Sequence, residues 1–148
     1  MCIRDRIVDW DFHRGDGTQE IFRKDPDVFV ASIQLENQFP GDTALGRKRL
    51  EESIRNVYLP TLEREAYWMS FSSLIEEASS WGKFELVAIS CGFDTHRDDP
   101  FVAGRGGLVE SDYVKMFELV SRLAPKTLLC LEGGYNPATI AASCLALL

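Results

Sequence analysis

Asp11 and His13 stand two residues apart, a spacing that puts both side chains on one face of an extended segment. A carboxylate and an imidazole that converge in this way can hold a divalent cation. Asp94 can add a second carboxylate from another part of the chain. Two carboxylates and one imidazole leave an open coordination position, which a catalytic zinc site requires, and they form a neutral site around a doubly charged ion. Tyr135 follows Gly133 and Gly134, a pair that lets the backbone turn sharply and pass close to a ligand. A phenol placed there can donate a hydrogen bond to an oxyanion. Each feature also has a plainer reading. Asp11 and His13 fit turn and capping roles beside Gly15, Asp94 fits a cap after Gly92-Phe93, and Tyr135 fits a side chain covering a loop. His96, among Thr95, Arg97, Asp98 and Asp99, reads as a solvated loop histidine. Phe39, before Pro40-Gly41, reads as a pocket wall or a loop anchor.

The elements that must position these residues alternate between short apolar runs and longer helical periods. A strand starts at Ile7-Val8, runs toward Trp10 and is broken by Gly15 and Gly17. Residues 18–22 read as a short helix. The unbroken run Val28-Phe29-Val30-Ala31-Ser32-Ile33 predicts a strand buried on both faces. Residues 34–50 read as a long polar loop with room for one helical turn, and residues 54–59 as a weaker strand closed by Pro60. In the helix predicted over 62–81, Tyr67, Phe71, Leu74, Ile75 and Ala78 build one apolar stripe. A strand over 86–90 and a helix over 111–123 follow, the helix with Ser111 as its N-cap. A strand over 127–131 leads to a last helix opened by Pro137. Strands alternating with helices predict an α/β fold of three layers (αβα) on a mainly parallel sheet. Asp9 to Gly17, Cys91 to His96 and Glu132 to Asn136 each follow a strand, where open α/β sheets bind ligands.

Composition narrows the function classes. The 148 residues carry 16 Lys and Arg against 23 Asp and Glu, a net charge of −7. An acidic chain is a poor partner for a phosphate backbone, so nucleic acid is not expected as a direct ligand. Its field weakly favours cationic ligands such as amines. No apolar run reaches the ~20 residues that span a bilayer, and the first residues lack the apolar core of a secretory signal. Cys2, Cys91, Cys130 and Cys144 form no C-x-x-C pair, and three of the four sit among apolar neighbours. Buried reduced thiols in a cytoplasmic protein are the expectation, and any metal would take oxygen and nitrogen ligands.

Taken together, the three clusters are specific. Asp-x-Asp-x-His-x-Gly-x-Gly-Thr-Gln at 9–19, Ser-x-Gly-Phe-Asp-x-His at 90–96 and Glu-Gly-Gly-Tyr-Asn at 132–136 occur in order, each after a strand. This pattern resembles the zinc-dependent histone deacetylase and acetylpolyamine amidohydrolase family, with its arginase–deacetylase fold, from Ile7 to the C-terminus. The resemblance implies that Asp11, His13 and Asp94 are zinc ligands, with iron(II) as an alternative metal. It implies that Tyr135 hydrogen-bonds the substrate carbonyl and that Asp9 and Asp16 orient two active-site histidines. It places Phe39 and Gly134 along an acyl-lysine channel. It further implies a structural potassium ion held by Ser32 and the carbonyls of Asp9, Asp11, His13 and Ile33. The implied substrate is an acetylated amine or acetyl-lysine.

The sequence departs from that pattern at three places. The family's histidine pair precedes the Asp-x-Asp-x-His motif, and this chain has only His13 and His96. The expectation is the C-terminal part of a catalytic domain over 7–148, an incomplete fold, inactive alone. Residues 1–6 are expected to be a non-native junction. Arg14 stands where a second histidine is usual, and Gln34 where histidine is common. Two other readings remain open at the level of sequence: an arginase-like hydrolase with two metals, which needs more clustered ligands, and a non-catalytic α/β binding module. Oligomeric state is left open.

Overall fold

The computed structural model describes residues 5–41, 52–102 and 104–148. Among the described residues, five strands and four helices follow in the order β1 (Asp5–Asp9), α1 (Asp16–Phe22), β2 (Val28–Leu35), β3 (Ile54–Leu59), α2 (Arg64–Ser80), β4 (Leu86–Cys91), α3 (Glu110–Ser121), β5 (Lys126–Leu131) and α4 (Pro137–Leu147). The sheet order is β3-β2-β1-β4-β5. All four pairings are parallel.

Burial along β2 shows how the layers form. Val28 and Val30 pack with Ile54, Ile7 and Phe22 of α1 on one face. The alternate residues Phe29, Ala31 and Ile33 join the main core with Tyr67, Phe71 and Ile75 of α2 and Tyr113 of α3 on the other. A period of two on a strand guarantees that these sets face opposite ways, so the sheet lies between two helical layers. All of β2 is buried, as the unbroken apolar run predicts. The stripe on α2 is also as read: Tyr67, Phe71, Leu74, Ile75 and Ala78 are its buried residues.

The structure corrects several local expectations. β2 extends to Leu35, because Gln34 is buried and bonded to Asn56 of β3 at 3.2 Å. The helical turn expected near 42–50 lies outside the described residues. The N-cap of α3 is Val109, not Ser111, and the Asp112 carboxylate accepts from the Val109 N–H at 2.9 Å. β5 is the outer strand and leaves Leu128, Leu129, Cys130 and Leu131 exposed. An apolar run does not reveal whether a strand is central or at an edge, so Cys130 is not the buried thiol expected from its neighbours. Gly17 lies inside the first turn of α1, and a Cβ added there would meet nothing within 4 Å. Gly17→Ala is expected to raise stability by about 0.5–1 kcal/mol through lower unfolded-state entropy, read from urea unfolding midpoints.

Candidate metal centre

The chain order sets where a ligand must sit. Successive strands β1, β2 and β3 step one way across the sheet, whereas β4 and β5 step the other way from β1. The reversal falls between β1 and β4. A crevice forms beyond the carboxyl ends of strands at such a point. The register places Asp9 opposite Ser90, so the segments that leave β1 and β4 start side by side.

Asp11, His13 and Asp94 meet in that crevice. Their ligand atoms lie within 4.8 Å of one another, the one such cluster among the described residues. His13 Nδ1 is 3.2 Å from Asp11 Oδ1 and 3.2 Å from Asp94 Oδ2. A single ring N–H cannot serve both, and Asp94 Oδ2 is buried without a hydrogen bond. The other carboxylate oxygens are held by backbone. Asp94 Oδ1 accepts from the Phe12 N–H at 2.8 Å, and Asp11 Oδ1 from the His13 N–H at 2.8 Å. Asp11 Oδ2 accepts from the Gly133 N–H at 2.9 Å. The carboxylates are thus oriented before any cation arrives.

The electrostatics fit a cation cradle. The close contacts with Asp11 and then Asp94 push His13 up to about 9. Burial alone would raise Asp11, but hydrogen bonds from the His13 ring, the His13 N–H and the Gly133 N–H outweigh it and hold the carboxyl below its usual range. Burial raises Asp94, and the His13 and Phe12 contacts only partly oppose it. Two anionic groups held this close need a positive charge between them, which a proton on His13 or a divalent ion supplies. A buried oxygen without a partner, two fixed carboxylates and one imidazole suit zinc or iron(II).

The remaining residues singled out in the sequence fall into three places. Asp9 is buried beneath the centre, raised well above the carboxylate range mainly by desolvation, and accepts from the Asp11 N–H at 3.0 Å. Ser32 lies opposite Asp9 in the β1–β2 register and donates to Gln34 Oε1 at 2.7 Å, with Ile33 buried next to it. Asp16 is exposed at the start of α1, where it accepts from the Gly17 N–H. Phe39 is 78% exposed beyond β2. Two glycines press against the carboxylates: a Cβ at Gly133 would lie 2.3 Å from Asp94 Oδ2 and 2.4 Å from Asp11 Oδ2, and one at Gly92 would lie 2.3 Å from Asp11 Oδ2. Gly134 has φ +135°, a conformation other residues rarely adopt. Tyr135, 54% exposed, comes next, and its phenol is raised by slight desolvation and by the charges of Asp94, Asp11 and Asp99.

Two residues at the centre are not visible in the sequence reading. The Phe101 ring packs 4.6 Å from Tyr135 and 5.4 Å, edge-on, from His13. Asp99 is buried and accepts from the backbone N–H groups of Phe101 and Tyr135. In sequence Asp99 is one of several charged residues beside His96, and the signal that could mark it is the following Pro100, which favours a turn held by an Asp side chain. His96 is likewise buried, not solvated. It stacks on Tyr113 at 6.3 Å and 10°, and its Nδ1 accepts from the Asp98 N–H at 3.1 Å. The backbone pairs Leu108 with Thr95 and Arg97 and so folds the loop over the ring.

A parallel sheet with a converging Asp–His–Asp cluster at its reversal point defines a class of α/β proteins whose ligands bind beyond the strand ends. Comparison with known proteins narrows the class. The histone deacetylase domain matches residues 3–148. Histone deacetylase 15 of Arabidopsis thaliana is 34% identical over 96% of this chain and 27% of its own length. Acetylpolyamine amidohydrolase 1 of Pseudomonas aeruginosa is 34% identical over 87% of this chain and 38% of its own. The crystal structure of the HDA15 HD domain superposes with a TM-score of 0.84 and 33% identity, over 97% of this chain and 43% of that one. The chain belongs to the histone deacetylase family. It spans less than half the length of the curated relatives it matches. Among the described residues, no helix is long and apolar enough to cross a membrane.

Proposed function

We propose that this chain is the metal-holding part of a zinc-dependent deacetylase that hydrolyses N-acetyl amides of the acetyl-lysine or acetylpolyamine type. The observation that carries the reading is the convergence of Asp11, His13 and Asp94 beside a Gly-Gly-Tyr turn in a chain of the histone deacetylase family. Bound by these three residues, zinc (or iron(II)) supplies Lewis acidity toward the amide carbonyl and acidifies water. Tyr135 donates its hydroxyl proton in a hydrogen bond to the carbonyl oxygen as charge develops there. Gly133 and Gly134 bring the backbone close enough for that contact, and Gly134 with Phe39 and Phe101 borders the acyl chain. Asp9 and Asp16 orient histidines supplied from outside this chain. Ser32 with the carbonyls of Asp9, Asp11, His13 and Ile33 would hold a potassium ion. This reading includes a cytoplasmic setting, in which cysteines stay reduced.

General base catalysis needs a titratable group within reach of the attacking water. His13 is taken as a ligand, and His96 is enclosed against Tyr113. The isolated chain is therefore a binder without turnover. Zinc titration is expected to reach one ion per chain, lost in Asp94→Ala. A hydroxamate should bind the zinc-loaded chain only, and acetyl-lysine peptide should remain intact. A chain that binds no zinc would refute the metal assignment, and peptide hydrolysis by the isolated chain would refute its incompleteness.

A further inference from the structure

Asp99 is buried, yet among the described residues its recorded contacts include no cation. Its two oxygens instead serve two backbone segments. Oδ1 accepts from the Phe101 N–H at 3.0 Å, and Oδ2 from the Tyr135 N–H at 2.7 Å. The second bond spans 36 residues and ties the loop after β4 to the loop after β5. Two further links run alongside it: the Phe93 N–H to the Gly133 carbonyl at 2.8 Å, and Asn136 Nδ2 to the Asp98 carbonyl at 2.9 Å. Asn136 also caps α4 through the Ala138 N–H. Burying a charged carboxylate is costly, and a chain that only needed a turn at Pro100 has no use for one. What this carboxylate fixes is a pair of rings. The Tyr135 and Phe101 backbones are set by the same side chain, and their rings then pack tilted at 55° with centroids 4.6 Å apart, with Phe101 edge-on to His13.

We propose that Asp99 is a positioning residue: by gripping the Tyr135 and Phe101 N–H groups at once, it aims the phenol at the Asp11–His13–Asp94 centre and holds the Phe101 ring beside it. The inference rests on the deacetylase reading, in which the Tyr135 hydroxyl meets a ligand's carbonyl oxygen. Only an acceptor with two anionic oxygens serves both donors. Asparagine would turn an N–H toward one of them and break one arm of the clamp.

The test uses the full chain loaded with zinc, with benzohydroxamate as the probe, read by calorimetry. Tyr135→Phe is expected to weaken hydroxamate binding about tenfold, the size of one lost hydrogen bond to a charged group. Asp99→Asn is expected to weaken it by about the same factor, with zinc affinity within about threefold of the parent. The double variant should be no weaker than either single one, because a misaimed phenol and a missing one forfeit the same bond. A loss of general packing would instead add to the Tyr135→Phe effect, and additivity overturns the proposal. It is also overturned if Asp99→Asn binds the probe like the parent while Tyr135→Phe does not, a result that leaves the deacetylase reading standing. If Tyr135→Phe has no effect, that reading falls and the proposal with it. Should Asp99→Asn not fold, amide hydrogen exchange on the parent chain decides the matter. The Tyr135 and Phe101 amides are expected to be protected by about a hundredfold or more over free peptide, and exchange at the free rate rules the clamp out.

Discussion

Gly133→Ala is expected to weaken zinc binding by about a hundredfold or more while the chain stays folded. The reason is space rather than backbone strain. A Cβ at this position would fall 2.3 Å from Asp94 Oδ2 and 2.4 Å from Asp11 Oδ2, oxygens of the two proposed carboxylate ligands. Neither carboxylate can yield freely. Asp94 is anchored through Oδ1 to the Phe12 N–H, and Asp11 through Oδ1 to the His13 N–H. The alternative is retreat of the β5 turn. That would stretch the Gly133 N–H bond to Asp11 Oδ2 and the Gly133 carbonyl bond to the Phe93 N–H, two links that hold the turn against the centre. Either response misplaces a ligand or strips its support, and supporting contacts alone are worth about 10–100-fold in metal affinity. Gly17→Ala is the control, because nothing would lie near its Cβ. Calorimetric zinc titration of both variants, with circular dichroism for folding, measures the effect. A folded Gly133→Ala chain that binds zinc within about threefold of the parent would show that these oxygens do not hold the ion.

How far the sequence exposes this site depends on the range of the contact. Asp11 and His13 were legible because their relation is local: an extended segment after a strand puts both on one side. The α2 stripe and the buried β2 run were legible for the same reason, since period and composition act within a few residues. The meeting with Asp94 rests instead on the β1–β4 register, and no local pattern encodes a register across roughly eighty residues. The family resemblance filled that gap. Asp99 is invisible in the sequence because a buried carboxylate satisfied by backbone N–H groups has the same one-letter signature as a solvated one. His96 failed similarly, its burial being decided by the bridge from 96 to Leu108 and by Tyr113 on α3. The exposure of β5 was hidden because Thr127 to Leu131 is as apolar as the central strands.

Acidity gives the second large effect, with opposite signs for the metal-free and zinc-loaded chains. The ring of His13 is raised to about 9 by Asp11 and Asp94. A histidine raised in the folded state stabilises it fully below its unfolded value of about 6.5, and that contribution is lost as pH climbs through about 9. Between those limits the metal-free chain is expected to lose stability at up to about 1.4 kcal/mol per pH unit. Zinc requires the same nitrogen unprotonated, so the ion must displace that proton. Apparent zinc affinity is therefore expected to rise about tenfold per pH unit across the window and to level off above about 9. Urea unfolding of both forms, and zinc titration against a chelator of known pH dependence, would follow the two trends. In His13→Asn the metal-free slope should disappear. A zinc affinity that stayed flat from pH 7 to 9 would mean that the His13 proton does not compete with the ion. The imidazole would then not be a ligand, and the two carboxylates would have to neutralise each other's charge by some other route.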